Sequence, residues 1–99
     1  MNTLVLEKEP VASDIQLTDQ KLTVELEDGR SISIPLEWYP RLAHATKDER
    51  AHWEFLGDGY AIEWPDLDEH IGIEGLLAGR KSGESEASFQ KWLASRTSQ

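Results

Sequence analysis

The 99-residue sequence contains no cysteine, which excludes both a disulfide scaffold and a zinc–thiolate site. Nothing in the chain therefore requires an oxidising compartment. The first ten residues, MNTLVLEKEP, lack the basic start and the long apolar run of a secretory signal. No stretch approaches the ~20 apolar residues of a membrane span. We expect a soluble cytoplasmic protein that does not enter a membrane.

Positive charge is scarce, since 10 lysines and arginines stand against 19 aspartates and glutamates, for a net charge of -9. Residues 51–79 contain neither lysine nor arginine, whereas residues 80–99 are slightly basic. Affinity for nucleic acid comes largely from lysine and arginine that replace counterions on phosphate. Direct binding to nucleic acid is therefore not expected, and a small basic protein is the more natural partner.

The stretch from Val11 to Leu36 alternates between apolar and polar residues, as half-buried strands do. We predict three antiparallel strands whose apolar residues share one face. A three-residue loop, 27–29 with a left-handed Gly29, joins the second and third strands, and a two- or four-residue loop around Asp19 joins the first two. The predicted opposite residues are Val24 with Ile32, Leu22 with Ile34, Leu17 with Leu22, and Ile15 with Val24.

Two short helices are predicted after the third strand. Pro40 is favourable at the first position of a helix that extends to about Ala45. The segment TKDE, Thr46–Glu49, is a capping-box pattern. The second helix should therefore begin at Lys47 and extend to about Trp53.

The segment FLGDGYAIEWP, residues 55–65, predicts two short extended pieces around residues 57–59, and the second is a short strand with Tyr60, Ile62 and Trp64 on one face. It should end at Pro65, because proline cannot donate a hydrogen bond to a ladder. An acidic corner then connects it to a helical turn at residues 73–78.

These elements predict an α+β fold, in which a small antiparallel sheet is covered by short helices. The sheet consists of the three-stranded meander and the later short strand. Residues 1–79 form a single domain, residues 80–84 a hydrophilic linker, and residues 85–99 an amphipathic helix with the stripe Phe89, Trp92 and Leu93. This stripe either folds back onto the domain or docks into a groove of a partner, and the linker favours the partner.

Residues 20–79 resemble the bacterial domain-of-unknown-function family numbered 2442. The resemblance is carried by the segments DGR at 28–30, WYPRL at 38–42, AT at 45–46, ER at 49–50, IEWPDLD at 62–68 and EGLLAG at 74–79. It implies a small α+β fold without an assigned catalytic residue. It also implies one half of a two-gene module, similar to a toxin–antitoxin pair, whose neighbour belongs to a family numbered 4160. We expect a stand-alone member without the helix-turn-helix domain that some relatives carry.

Asp66, Asp68 and His70 resemble the start of a calcium loop, but such a loop needs glycine at its sixth position and glutamate at its twelfth. The chain has Ile71 and Leu77 at these positions. The pattern therefore does not predict calcium binding.

His44, Asp48 and His52 would share one face of a continuous helix, but the cap at Thr46 argues against such a helix. The sequence also has no glycine-rich phosphate loop and no nucleophile motif. We expect no enzyme activity, no metal and no cofactor.

We predict a partner-binding surface made of an acidic loop and aromatic anchors. Trp64 is either a core residue or a half-exposed anchor, and the sequence leaves both possibilities open. The candidate residues are Trp64, Asp66, Asp68, Glu69, Phe89, Trp92 and Leu93.

The sequence leads to two alternative hypotheses for the function. The first is an antitoxin-like or adaptor protein that binds a small basic protein encoded nearby, with a homodimer possible. The second is a transcription regulator that binds DNA alone or in a complex, for which the C-terminal segment is the only slightly basic region.

Overall fold

A computed structural model describes residues 10–97 and shows an α+β fold with two antiparallel three-stranded sheets. The first sheet contains β1 (Ala12–Leu17), β2 (Lys21–Leu26) and β3 (Ser31–Pro35), in that order. The second contains β4 (Glu54–Leu56), β5 (Ala61–Trp64) and β6 (Glu69–Gly72), also in chain order. The helices are α1 (Pro40–Ala43), α2 (Lys47–Ala51), α3 (Ile73–Leu77) and α4 (Glu86–Thr97). Within residues 10–97, no helix is long and apolar enough to cross a membrane.

The first sheet has the register that the sequence predicts. Leu22 is opposite both Leu17 and Ile34, and Val24 is opposite both Ile15 and Ile32. The N–H of Leu26 donates to the carbonyl oxygen of Arg30 at 2.8 Å, which closes a three-residue loop at 27–29, and Gly29 adopts a φ of +95°, which favours glycine. Turn chemistry and the apolar pattern therefore determine this register together.

The second sheet contains more strands than predicted. The two extended pieces around residues 57–59 are β4 and β5, whereas the sequence did not indicate β6. β4 and β6 flank β5, and β6 occupies residues assigned to an acidic corner. Pro65 does end β5, and a 3-10 turn at Pro65–Leu67 with a left-handed Asp68 (φ 52°) completes the hairpin. The expectation for Tyr60 is wrong, since this residue lies in the turn before β5 and is 49% exposed.

The two short helices begin where the sequence predicts. α1 begins at Pro40, and Thr46 caps α2 with a complete capping box, since it exchanges hydrogen bonds with Glu49 at 2.9 and 3.1 Å. His44 lies between the two helices, so it shares no helix face with His52. In the described part of the chain, no three histidine, aspartate or glutamate side chains converge as a metal site would require.

The apolar faces of both sheets and the short helices enclose one core. Its fully buried side chains include Leu22 and Val24 from the first sheet, Leu42 from α1, and Ile62 and Trp64 from the second sheet. Trp64 is the largest of them. Its indole N–H donates a hydrogen bond of 3.1 Å to the carbonyl oxygen of Arg50, which satisfies the polar atom of an otherwise apolar side chain.

Arg50 connects the first sheet, α1 and the second sheet. Its Nη2 donates to Asp19 in the turn between β1 and β2 at 2.9 Å, and its Nη1 donates to the carbonyl oxygen of Leu42 at 3.3 Å. The residue is only 9% exposed. A charged group so buried must keep its partners, because an unpaired buried donor costs more than the hydrogen bond contributes.

We predict that Arg50→Ala lowers the free energy of unfolding by about 2–3 kcal/mol, because it removes two hydrogen bonds and the packing of a guanidinium side chain that is only 9% exposed. Urea denaturation measures this change. The control is Arg30→Ala, which breaks an exposed ion pair with Asp28 and should change the stability far less, because solvent screens that pair. Equal losses in the two variants would contradict the role of Arg50.

Candidate partner-binding surface

The outward face of the second sheet carries a row of titratable side chains. Because Ile62 and Trp64 are fully buried, alternation along β5 turns Glu63 to the opposite face. Glu63 lies opposite Glu54 of β4 on one side and opposite His70 of β6 on the other. Two carboxylates therefore face each other across neighbouring strands, an arrangement that destabilises a sheet.

Asp66 adds a further carboxylate beside Glu54. Its Oδ2 lies 2.8 Å from Nδ1 of His52, which follows α2. The hydrogen bond with Asp66 and the negative charges of Asp66 and Glu54 raise the pKa of His52. Because one histidine interacts with both carboxylates, Asp66 and Glu54 belong to one region, and Asp68 is exposed at the turn that follows. We call Glu54, Glu63, Asp66 and Asp68 the acidic face.

Most of the acidic face is not neutralised by basic side chains. Among residues 10–97, no lysine or arginine forms an ion pair with Glu54, Glu63 or Asp68. Asp66 is paired only with His52, and both side chains are exposed. The surface therefore keeps a negative field at neutral pH.

Trp64 and Glu69 are not part of the acidic face, although the sequence placed both in the candidate surface. Trp64 is fully buried and cannot present its ring to a partner, so its interpretation as a core residue applies. Glu69 lies on the same side of the second sheet as Trp64 and is half-buried. Burial raises the pKa of Glu69, and its Oε2 accepts a hydrogen bond of 3.1 Å from the backbone N–H of His70. Only the two predicted aspartates remain available on this surface.

The apolar stripe of α4 packs on the protein's own domain. Phe89 is 8% exposed, and its ring meets the ring of His44 edge-on at 5.1 Å. Trp92 stacks on Phe89 and makes cation–π contacts with the guanidinium groups of Arg41 and Arg96, which lie 5.2 and 4.5 Å from the centroid of its ring. Leu93 is half-buried. Of the two alternatives for this stripe, the structure shows the one in which it folds back, so the preference for a partner groove is corrected.

Two ion pairs hold α4 and the segment before it on the rest of the domain. Arg41 binds Glu84 through three contacts of 2.5–3.1 Å, and its Nη1 donates to the carbonyl oxygen of Leu67 at 2.8 Å. Arg96 makes a two-pronged ion pair with Glu49 at 2.8 and 3.0 Å. This pair lowers the pKa of Glu49 to about 2, chiefly through the hydrogen bonds from Arg96. The capping box of α2 and the docking of α4 therefore share one carboxylate.

The family model "Protein of unknown function (DUF2442)" matches residues 12–82. The chain belongs to this family. The matched residues include both sheets and α1–α3, whereas Glu84 and α4 lie beyond them. No curated protein matches the chain.

Two solved structures share the fold of this DUF2442 protein. A protein of unknown function from Rhodospirillum rubrum has a TM-score of 0.67 and 29% identity, and the match covers 81% of this chain and 96% of that one. An uncharacterised protein from Chromobacterium violaceum has a TM-score of 0.62 and 20% identity, with 87% and 75% covered. Both comparisons establish the architecture and leave the function open.

The candidate list from the sequence omitted His52, Glu54 and Glu63. The run without lysine or arginine did point to this region of the DUF2442 protein. The facing of Glu54 and Glu63 follows from the strand register, which requires the β4–β5 turn to be placed first. The sequence placed that turn at residues 57–59, whose two glycines have positive φ, but it assigned no register to the strands on either side.

We predict that the Glu49–Arg96 pair makes the stability of this DUF2442 protein depend on pH between about 5 and 2. The folded pKa of Glu49 is about 2, against an ordinary value of 4.5, so the contribution is present above pH 4.5 and is lost as pH falls. Glu49→Gln, which can still complete the capping box, should cost about 1–2 kcal/mol at pH 7 and almost nothing near pH 2.

Urea denaturation of both proteins from pH 7 to pH 2.5 measures the difference. A cost of Glu49→Gln that stays constant over this range would contradict the assignment of the low pKa to the ion pair.

Proposed function

We propose that this protein is a non-catalytic cytoplasmic binding module, and that its acidic face docks on a small basic protein. An adaptor or an antitoxin-like protein is the specific form that we propose, with the partner encoded nearby. The observation that carries the proposal is the direct facing of Glu54 and Glu63 across β4 and β5, where neither is ion-paired with a lysine or arginine of residues 10–97.

Such a pair is costly in the isolated protein. Like charges directly opposite each other destabilise a sheet by a few tenths of a kcal/mol or more. A basic side chain from a partner, placed between Glu54 and Glu63, would turn this repulsion into attraction. The arrangement therefore favours a bound state over the free state.

The distribution of arginines supports the same interpretation. Arg41, Arg50 and Arg96 each form an ion pair inside the protein, with Glu84, Asp19 and Glu49 respectively. These three arginines thus hold helices and turns, whereas residues 51–79, which include the second sheet, contain no lysine or arginine. A surface of one sign speeds the approach of an oppositely charged protein and orients it.

Direct binding to DNA receives less support from the contacts of α4. Arg96, one of the few basic residues in the C-terminal segment, is engaged by Glu49 and by the ring of Trp92. A recognition helix needs free basic side chains along one face. We therefore favour the protein partner.

We predict that Glu63→Lys stabilises the free protein by about 0.5 kcal/mol, since it replaces repulsion from Glu54 with attraction. Thermal and urea denaturation measure this change. The control is Glu37→Lys, which makes the same charge change at an exposed residue outside the second sheet and should leave stability nearly unchanged. A loss of stability in Glu63→Lys alone would contradict the repulsive pair.

We also predict that Glu54→Lys/Glu63→Lys slows association with the basic partner recovered from the native host by roughly tenfold or more at low salt. The difference from the unmodified protein should shrink as ionic strength rises, because screening weakens steering. Stopped-flow or surface-binding kinetics measure both effects, with Glu37→Lys as the control. An association rate of the unmodified pair that does not respond to salt would overturn the proposed role of the acidic face.

A further inference from the structure

An open groove of about 570 Å³ lies along the outer edge of β1. One wall is formed by the strand and the turn after it, and the other by α2 and the residues that follow it. The groove is lined by Ile15, Leu17, Thr18 and Asp19 on the first wall and by Lys47, Arg50, Ala51 and Trp53 on the second.

The edge of β1 presents unused backbone groups to this groove. The N–H of Thr18 donates to the carbonyl oxygen of Lys21, so β1 bonds to β2 through every second residue, at Thr18, Gln16 and Asp14. The N–H and C=O groups of Ile15 and Leu17 therefore point away from β2. No hydrogen bond within residues 10–97 uses these four groups.

The same edge is already paired at its other end. The N–H of Ala12 donates a hydrogen bond of 2.7 Å to the carbonyl oxygen of Gly59, in the turn between β4 and β5. The edge is therefore closed by the second sheet at Ala12 and unpaired at Ile15, which is 5% exposed, and at the half-buried Leu17. Along this part of β1, the N–H and C=O groups of Ile15 and Leu17 provide two donors and two acceptors, spaced as in a β-strand.

We propose that this groove binds an extended segment of the partner protein, which adds as a strand to the edge of β1. Strand addition supplies main-chain hydrogen bonds, and side-chain pockets then give specificity. The half-buried Leu17 and Trp53 offer apolar contacts to alternate side chains of the segment. Arg50 is already paired with Asp19, and Lys47 of the groove forms no ion pair within residues 10–97, so the segment carries no basic side chain where it passes them.

The walls favour a single strand over a second copy of this chain. α2 and Trp53 stand opposite β1 across the groove, and a whole sheet approaching edge-to-edge would collide with them. An isolated extended segment has no such obstacle. That the segment belongs to the basic partner rests on the proposed function, whereas strand addition itself does not.

The test uses a displayed library of random linear peptides selected on the full chain, followed by fluorescence anisotropy with the enriched peptides. Leu17→Pro removes an N–H that faces the groove and no bond to β2. Ser33→Pro is the matched control, because the N–H of Ser33 points away from β2 on the opposite edge strand. Ala51→Trp fills the groove from α2 and provides a second variant if Leu17→Pro does not fold.

We expect about tenfold weaker peptide binding by Leu17→Pro and Ala51→Trp, as the loss of a backbone hydrogen bond or of space implies. Ser33→Pro and Glu63→Lys should bind the peptides as the unmodified protein does. The proposal is overturned if no peptide is enriched, if a folded Leu17→Pro variant binds normally, or if Glu63→Lys weakens binding. The peptide experiment does not use the native partner. A failure to bind peptides would therefore contradict strand addition to β1 alone, whereas the salt-dependence experiment tests the acidic face.

Discussion

The contacts of Arg50 set the separation of the two sheets. Its guanidinium binds the turn of the first sheet and a carbonyl of α1, and its own carbonyl accepts the indole N–H of Trp64 from the second sheet. One residue of α2 thus holds three elements, two of them through a buried charge. The β1 groove and the acidic face lie on the sheets that this residue connects, so the geometry of both surfaces depends on it.

Features determined by neighbouring residues were predictable from the sequence, and features determined by distant residues were not. The capping box at Thr46 and the register of β2 and β3 follow from local hydrogen bonds and turn chemistry. β6 was missed because its four residues include a glutamate and a histidine and show no apolar alternation. The ion pair of Arg96 with Glu49 joins residues 47 positions apart, and no local sequence pattern predicts it.

The candidate partner-binding surface was likewise only partly predictable from the sequence. An acidic region was visible as a run without basic residues, but its members have different environments. Asp66 and Asp68 are exposed, Glu69 is half-buried with a raised pKa, and Trp64 is in the core. Composition therefore located the charge, whereas alternation along β5 and β6 decided which side chains a partner can reach.

The two proposed contacts make different demands on a partner and affect different steps of binding. Charge on the acidic face acts at a distance, so it governs the rate of encounter and weakens with salt. Hydrogen bonds to the β1 edge act only after contact, so they govern the rate of dissociation and respond little to salt. A complex that uses both surfaces should therefore form at a salt-dependent rate and dissociate at a nearly salt-independent one, and this combination separates joint use from either surface acting alone.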